Sequence, residues 1–190
     1  MTIKTIFLDR DGVINKEINY LHRIEDFEFI DGVFKTCQYL QNLGYEIIVI
    51  TNQSGISRGY YNEIDFKTLS NWMLAEFKKN DIKILDIFHC PHLPDSNCEC
   101  RKPRPGMLLE AKEKYNIDMQ NSWLIGDKED DIIAANNSDI ANTILVKSGH
   151  KINEIDSNAK YILGSIKAVS YTHLRAHETV LDLVCRLLLE

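Results

Sequence analysis

The stretch IKTIFLDRDG, residues 3–12, sets the reading of the whole chain. Its apolar run over 3–9 is short and ends abruptly in acids, which predicts a buried strand running into a charged loop. Working outward, the segment 32–44 carries Val33, Cys37, Tyr39, Leu40 and Leu43 near helical spacing, with Gly44 where a helix would end. A second apolar strand follows over 45–51. The pattern then repeats as a helix over 63–79 with Phe66, Leu69, Met73, Leu74 and Phe77 inward, a strand over 84–89, a helix over 106–115, a strand over 122–125, a helix over 130–136 and a strand over 143–146. Strands alternating with helices imply right-handed crossovers and a parallel sheet covered by helices on both faces. The expected fold class is therefore α/β, a single Rossmann-like domain over residues 1–168.

The 190 residues suffice for one domain with a sizeable core and are too few for two with separate tasks. A content of 44% hydrophobic and 26% charged residues excludes a disordered or fibrous chain. The net charge of −6 is a poor start for gripping nucleic acid or an anionic membrane, so neither is expected as a partner. No apolar run approaches the length of a membrane span. The opening MTIKTIFLDRDG leaves no room for the apolar core of a secretory signal. We expect a cytoplasmic monomer whose partner is a small anion, captured locally by a few cations or a metal. Residues 169–190, VSYTHLRAHETVLDLVCRLLLE, change character abruptly and resemble translated adapter sequence found at the ends of unrelated chains. The other reading is an amphipathic closing helix with Leu181, Val184, Leu187 and Leu188 on one face. We expect this tail to be non-native and assign no site to Cys185, His173 or His177.

In folds of this class ligands sit outside the carboxyl ends of the strands. The unusual residues fall there: Asp9-Arg10-Asp11-Gly12, Thr51-Asn52-Gln53-Ser54 and Gly126-Asp127-Lys128. Asp9 and Asp11 leave the first strand two positions apart, and a tight turn lets both carboxylates face one small volume. Asp127, with Asp130 and Asp131 close behind, adds carboxylates at another strand end. Like charges 4 Å apart repel by about 4 kcal/mol at an effective dielectric of about 20, so a cation must sit among them. Hard oxygen ligands with room for water suit Mg²⁺. Lys102 and Thr51 add an ammonium and a hydroxyl. With Mg²⁺ around a carboxylate, they make a pocket for a transferring phosphoryl group.

FLDRDGVIN at 7–15, TNQSGISRG at 51–59, CRKPRPGM at 100–107 and IGDKEDD at 125–131 resemble, in order and character, the motifs of the haloacid dehalogenase (HAD) superfamily of phosphatases. Within it the chain is similar to the D-glycero-D-manno-heptose 1,7-bisphosphate phosphatases and to their histidinol-phosphate phosphatase relatives. The resemblance covers about residues 3–165. It implies that Asp9 is the nucleophile, forming an aspartyl-phosphate, and that Asp11 is the general acid and base. It further implies Mg²⁺ held by the Asp9 carboxylate, the Asp11 carbonyl and Asp127, with Thr51 and Lys102 on the phosphoryl oxygens. Arg10, Arg101 and Lys128, with the loops Glu17–Tyr20 and Asn52–Ser54 (including Gln53), would meet the substrate, a small phosphorylated sugar.

Cys90, His92, Cys98 and Cys100 have the spacing C-x-H-x5-C-x-C. Three thiolates and an imidazole close a tetrahedron around Zn²⁺ with no open position, so this second site reads as structural, stapling the LPDSN loop and holding Arg101 and Lys102 at the pocket mouth. His89, on an apolar strand, reads as a packed core histidine; His22 and His150 are loop residues without evident partners. The segment between Asp11 and Thr51 is consumed by one loop and one helix, so no large cap fits. The short x5 loop is like that of histidinol-phosphate phosphatases, whereas QSGISRGYY and RKPRPGM are like the heptose enzymes, and the heptose reading is favoured. The competing reading of another class is a zinc-stabilised phosphosugar-binding module without catalysis.

Overall fold

A computed structural model describes residues 2–170. In chain order the strands are β1 (Thr5–Leu8), β2 (Glu46–Asn52), β3 (Ile84–Cys90), β4 (Trp123–Gly126), β5 (Asn142–Val146) and β6 (Tyr161–Leu163). The helices are α1 (Val33–Asn42), α2 (Glu63–Lys79), α3 (Gly106–Tyr115) and α4 (Glu129–Asn136), with 3-10 turns at Ile24–Asp26 and Ile166–Ser170. All six strands are parallel, in the order β3-β2-β1-β4-β5-β6. The expected elements are present with ends moved by a residue or two. β6 was not expected: three residues, each half-buried, leave no periodicity to read.

The two faces of the sheet are separately packed, because successive strand residues point to opposite sides. Ile6, Leu8 and Val49 pack with Cys37, Leu40, Leu69, Met73 and Phe77 of α1 and α2. Phe7, Ile48, Ile50 and Leu124 pack on the other side with Met107, Leu108 and Ala111 of α3 and Ile132 and Ala135 of α4. Each such fully buried side chain contributes about 1.5–3 kcal/mol relative to exposure. α2 starts at a reciprocal cap: Asn62 Oδ1 accepts the Ile64 and Asp65 amides at 2.7 and 3.1 Å, and Asp65 Oδ2 accepts the Asn62 amide at 2.9 Å. α1 ends where Gly44 turns left-handed, φ 81°, and its amide reaches back to the Gln41 carbonyl at 2.8 Å.

Between β1 and β2 the chain holds only α1 and a 3-10 turn, so no cap domain stands over the strand ends. His89 is not a core residue. It is half-buried, with Nε2 3.1 Å from Glu63 Oε2 and its ring 4.1 Å from that of Phe66. Val169 is fully buried, so packing continues through the turn Ile166–Ser170, past the expected boundary at 168. The rest of the adapter-like tail lies outside the described residues. Among those described, no helix is long and apolar enough to cross a membrane.

Candidate active site

β1, β2 and β4 deliver Asp9, Thr51 and Asp127 to one edge of the sheet because all three strands run parallel and end there. Lys102, from the loop between β3 and α3, enters beneath them and is 3% exposed. Its ammonium donates to Asp9 Oδ1 at 3.0 Å, to Asp131 Oδ1 at 2.6 Å and to the Ile50 carbonyl at 3.0 Å, which occupies all three of its donors. Lys102 thus lies on the pocket floor, not at the mouth. Asp9 and Asp131 raise its pKa against the opposing effect of burial. For Asp9, burial pushes the carboxyl well above the usual range; Lys102 opposes this, while Asp131, Asp127 and Asp11 reinforce it. Asp9 Oδ1 also accepts the Arg10 amide at 2.7 Å.

Asp131 is the acid that sequence reasoning noticed but did not place in the site. It lies in the first turn of α4, is 1% exposed, and accepts the Lys128 amide at 3.1 Å while pairing with Lys102. One carboxylate oxygen from each of Asp9, Asp127 and Asp131 falls within 4.8 Å of the others. Asp127 is fully buried, and its Oδ1 has no hydrogen-bond partner. A buried, unpartnered carboxylate oxygen costs upwards of about 1–3 kcal/mol, and a divalent cation removes that cost. The donor set is all oxygen, as Mg²⁺ requires.

Above this floor opens a cleft lined by Asp11, Glu17, Tyr20, Gln53, Ser54, Arg101 and Lys128 among others. Asp11 is held from three sides: Arg10 forks onto it at 2.9–3.2 Å, Asn15 Nδ2 donates at 2.9 Å and Gln53 Nε2 at 3.1 Å. Gln53 Nε2 also reaches Thr51 Oγ1 at 2.8 Å, and its carbonyl oxygen accepts the Tyr61 hydroxyl. Two residues expected at the substrate line the cleft but direct their polar atoms inward. Arg10, 2% exposed, donates from Nε and Nη2 to Asp11 and from Nη2 to the Leu21 carbonyl, while its Nη1 has no partner. Asn52 clamps the backbone of Lys102, donating to its carbonyl and accepting its amide, both at 3.1 Å. Tyr20, with φ 59°, sits under the Arg58 guanidinium, 5.8 Å from the ring centroid. His150, left without a partner in the sequence reading, lies 2.6 Å from Asp127 Oδ2. That pairing crosses 23 residues and two loops, and no sequence periodicity reports it.

The second cluster brings together all four residues expected of it. Cys90 Sγ lies 3.5 Å from His92 Nδ1, 3.7 Å from Cys98 Sγ and 3.0 Å from Cys100 Sγ, and His92 Nδ1 is 3.2 Å from Cys100 Sγ. These ligand atoms lie mutually within 4.8 Å, a spread that fits one tetrahedral ion. Burial works to raise the Cys98 thiol, but hydrogen bonds from Ser96, the Arg101 amide and the neighbouring thiols outweigh it and bring Cys98 down to about 6. Arg104, which sequence reasoning missed, braces the loop by donating to the Cys98 carbonyl and to Asn97 Oδ1.

A family of HAD-hydrolase-like proteins matches residues 99–168. A D-glycero-alpha-D-manno-heptose-1,7-bisphosphate 7-phosphatase of Photorhabdus laumondii is 51% identical over 164 residues, covering 83% of this chain and 90% of that one. The chain belongs to the heptose-bisphosphate phosphatase family of HAD-like hydrolases. A second member of the family, the enzyme of the same name from Campylobacter jejuni, is 54% identical over 151 residues, 80% of this chain and 87% of its own. The crystal structure of D,D-heptose 1,7-bisphosphate phosphatase from B. bronchiseptica, complexed with magnesium and phosphate, superposes with a TM-score of 0.79 at 26% identity, covering 89% of this chain and 97% of that one.

Proposed function

We propose that this phosphatase removes the C7 phosphate of D-glycero-D-manno-heptose 1,7-bisphosphate, leaving heptose 1-phosphate for the synthesis of a nucleotide-activated heptose used in lipopolysaccharide core or another surface glycan. The observation that carries the reading is the trio Asp9, Asp127 and Asp131 around the buried ammonium of Lys102, with one Asp127 oxygen unpartnered. The names of the relatives supply the sugar and differ in its anomer, α in some and β in others.

Asp9 acts as nucleophile. Its Oδ1 is held by the Arg10 amide and Lys102, which leaves Oδ2 to attack phosphorus in line and form the aspartyl-phosphate. Asp11 protonates the leaving sugar oxygen and later takes a proton from the attacking water, in the orientation that Arg10, Asn15 and Gln53 impose on it. Thr51 meets the phosphoryl oxygens, and Lys102 sets its positive charge beneath them while its donors stay on Asp9, Asp131 and the Ile50 carbonyl. Mg²⁺, held by Asp9, Asp127 and the Asp11 carbonyl, supplies neutralisation of phosphoryl charge when bound. Arg101, Lys128, Glu17, Tyr20, Gln53 and Ser54 face the sugar and its second phosphate, with Asn52 and Arg10 bracing the residues that touch it. Zn²⁺ held by Cys90, His92, Cys98 and Cys100 is structural. The working unit is a cytoplasmic monomer whose phosphatase domain spans residues 1–168, with the adapter-like tail assigned no part in catalysis.

The test is phosphate release from the α and β anomers of heptose 1,7-bisphosphate and from histidinol phosphate, with and without Mg²⁺. Mg²⁺-dependent turnover of a heptose bisphosphate well above that of histidinol phosphate is expected. Preference for histidinol phosphate would overturn the sugar assignment, and turnover of neither would favour a binding module.

A further inference from the structure

His150 takes no part in the phosphoryl chemistry above, yet it holds Asp127 twice. Its ring Nδ1 lies 2.6 Å from Asp127 Oδ2, and its backbone N–H donates to the same oxygen at 3.0 Å. An ionised carboxylate only accepts, so Nδ1 carries the proton in this pairing. The other oxygen, Oδ1, is buried and has no partner.

Glycines close the carboxylate in on two sides. A Cβ built at Gly12 would lie 2.5 Å from Asp127 Oδ2, and one at Gly149 would lie 2.0 Å from it. The group therefore sits in a slot with one oxygen saturated and the other bare. A cation ligand needs this arrangement, because a ligating carboxylate works best when its remaining oxygen is fixed by outer hydrogen bonds.

We propose that His150 is a positioning residue for the divalent-cation site: by occupying Oδ2 it fixes Asp127 so that Oδ1 is the oxygen offered to the metal. The inference rests on the reading of Asp127 as a cation ligand and is independent of which sugar phosphate is hydrolysed. A competing arrangement has the imidazole itself bind metal with Glu17 and Asp127, since ligand atoms of these three also lie within 4.8 Å of one another.

Mn²⁺ serves as the probe, with its binding to the substrate-free, zinc-loaded protein followed by electron paramagnetic resonance and calorimetry for wild type, His150→Ala and His150→Asn. The ring is 38% exposed, so truncation leaves the core packing in place, and a melting curve checks this. His150→Ala should weaken Mn²⁺ binding about tenfold. Asparagine places an N–H where Nδ1 stands, so His150→Asn should recover most of that loss. In turnover assays the Mg²⁺ concentration for half-maximal rate should rise by the same factor for His150→Ala, with kcat at saturating Mg²⁺ largely kept. Unchanged Mn²⁺ affinity in His150→Ala would overturn the proposal, as would a His150→Asn variant no better than alanine. An imidazole-nitrogen coupling to bound Mn²⁺ in the wild type would also overturn it, in favour of direct ligation. Because metal binding is read without substrate, a failure of the heptose assignment leaves these outcomes intact.

Discussion

The two ion sites of this phosphatase are built in opposite ways. The carboxylate site draws Asp9 from the end of β1 and Asp127 and Asp131 from the β4–α4 junction, far from Asp9 in the chain, and buries all of them. The thiolate site takes its ligands from the short stretch Cys90–Cys100, and only Cys90 is buried. Packing of two apolar layers positions the first before any metal arrives, and Lys102 already supplies an internal cation there. The second has little packing to order the loop LPDSN, so under the proposed zinc reading its geometry would depend on the ion. On the proposed function the first site is assembled by the fold and would use its metal for chemistry, whereas the second would use a metal to finish the fold.

The sharpest way to break this contrast is at Asp9. Asp9→Asn should lower turnover by about 10⁴-fold or more while melting and circular dichroism stay near wild type, since nucleophile loss removes a whole step of the reaction. Substantial phosphate release by that variant would remove Asp9 from the mechanism. Next comes Lys102→Met. Removing the ammonium leaves Asp9 and Asp131 buried without their shared counter-charge, and stability to urea should fall by about 3–5 kcal/mol in addition to the loss of activity. A variant as stable as wild type would mean that the carboxylate site does not depend on Lys102 for its pre-assembly.

Metal removal separates the two sites directly. Stripping Zn²⁺ should lower the melting temperature by about 5–10 °C, whereas withdrawing Mg²⁺ alone should stop turnover and move the melting temperature by only about 1–3 °C. Equal thermal shifts would erase the distinction drawn here. The smallest effect is expected from ending the chain at Ser170, just after the buried Val169: kcat/KM and melting temperature should both stay at the values of the full chain. A tenfold fall in kcat/KM would show that residues 171–190 belong to the working enzyme.

What the sequence disclosed follows the same division. The Cys/His cluster was readable because all its ligands fall within eleven residues at a spacing few other demands produce. The strand-end acids were readable because a carboxylate after an apolar strand has little other purpose. Asp131 was noticed but not placed, since its role depends on α4 turning it inward toward Lys102. His150 and the Asn52 clamp on Lys102 exist only through space, between loops that come together after folding. Arg10 was expected at the substrate from the family resemblance, and its fork onto Asp11 at the cleft floor was not legible in the sequence. β6 escaped notice because a short edge strand makes too few buried contacts to impose a pattern.

The position of β1 has a bearing on synthesis. This strand, the first of the domain in chain order, lies inside the sheet between β2 and β4, and its pairing of Ile6 with Trp123 spans most of the domain. A nascent chain halted before Trp123 has Asp9 and Asp11 but lacks Asp127, Asp131 and one flank of the strand that carries the nucleophile. Phosphatase activity therefore requires the chain through Asp131, and products that stop before Trp123 carry none of it.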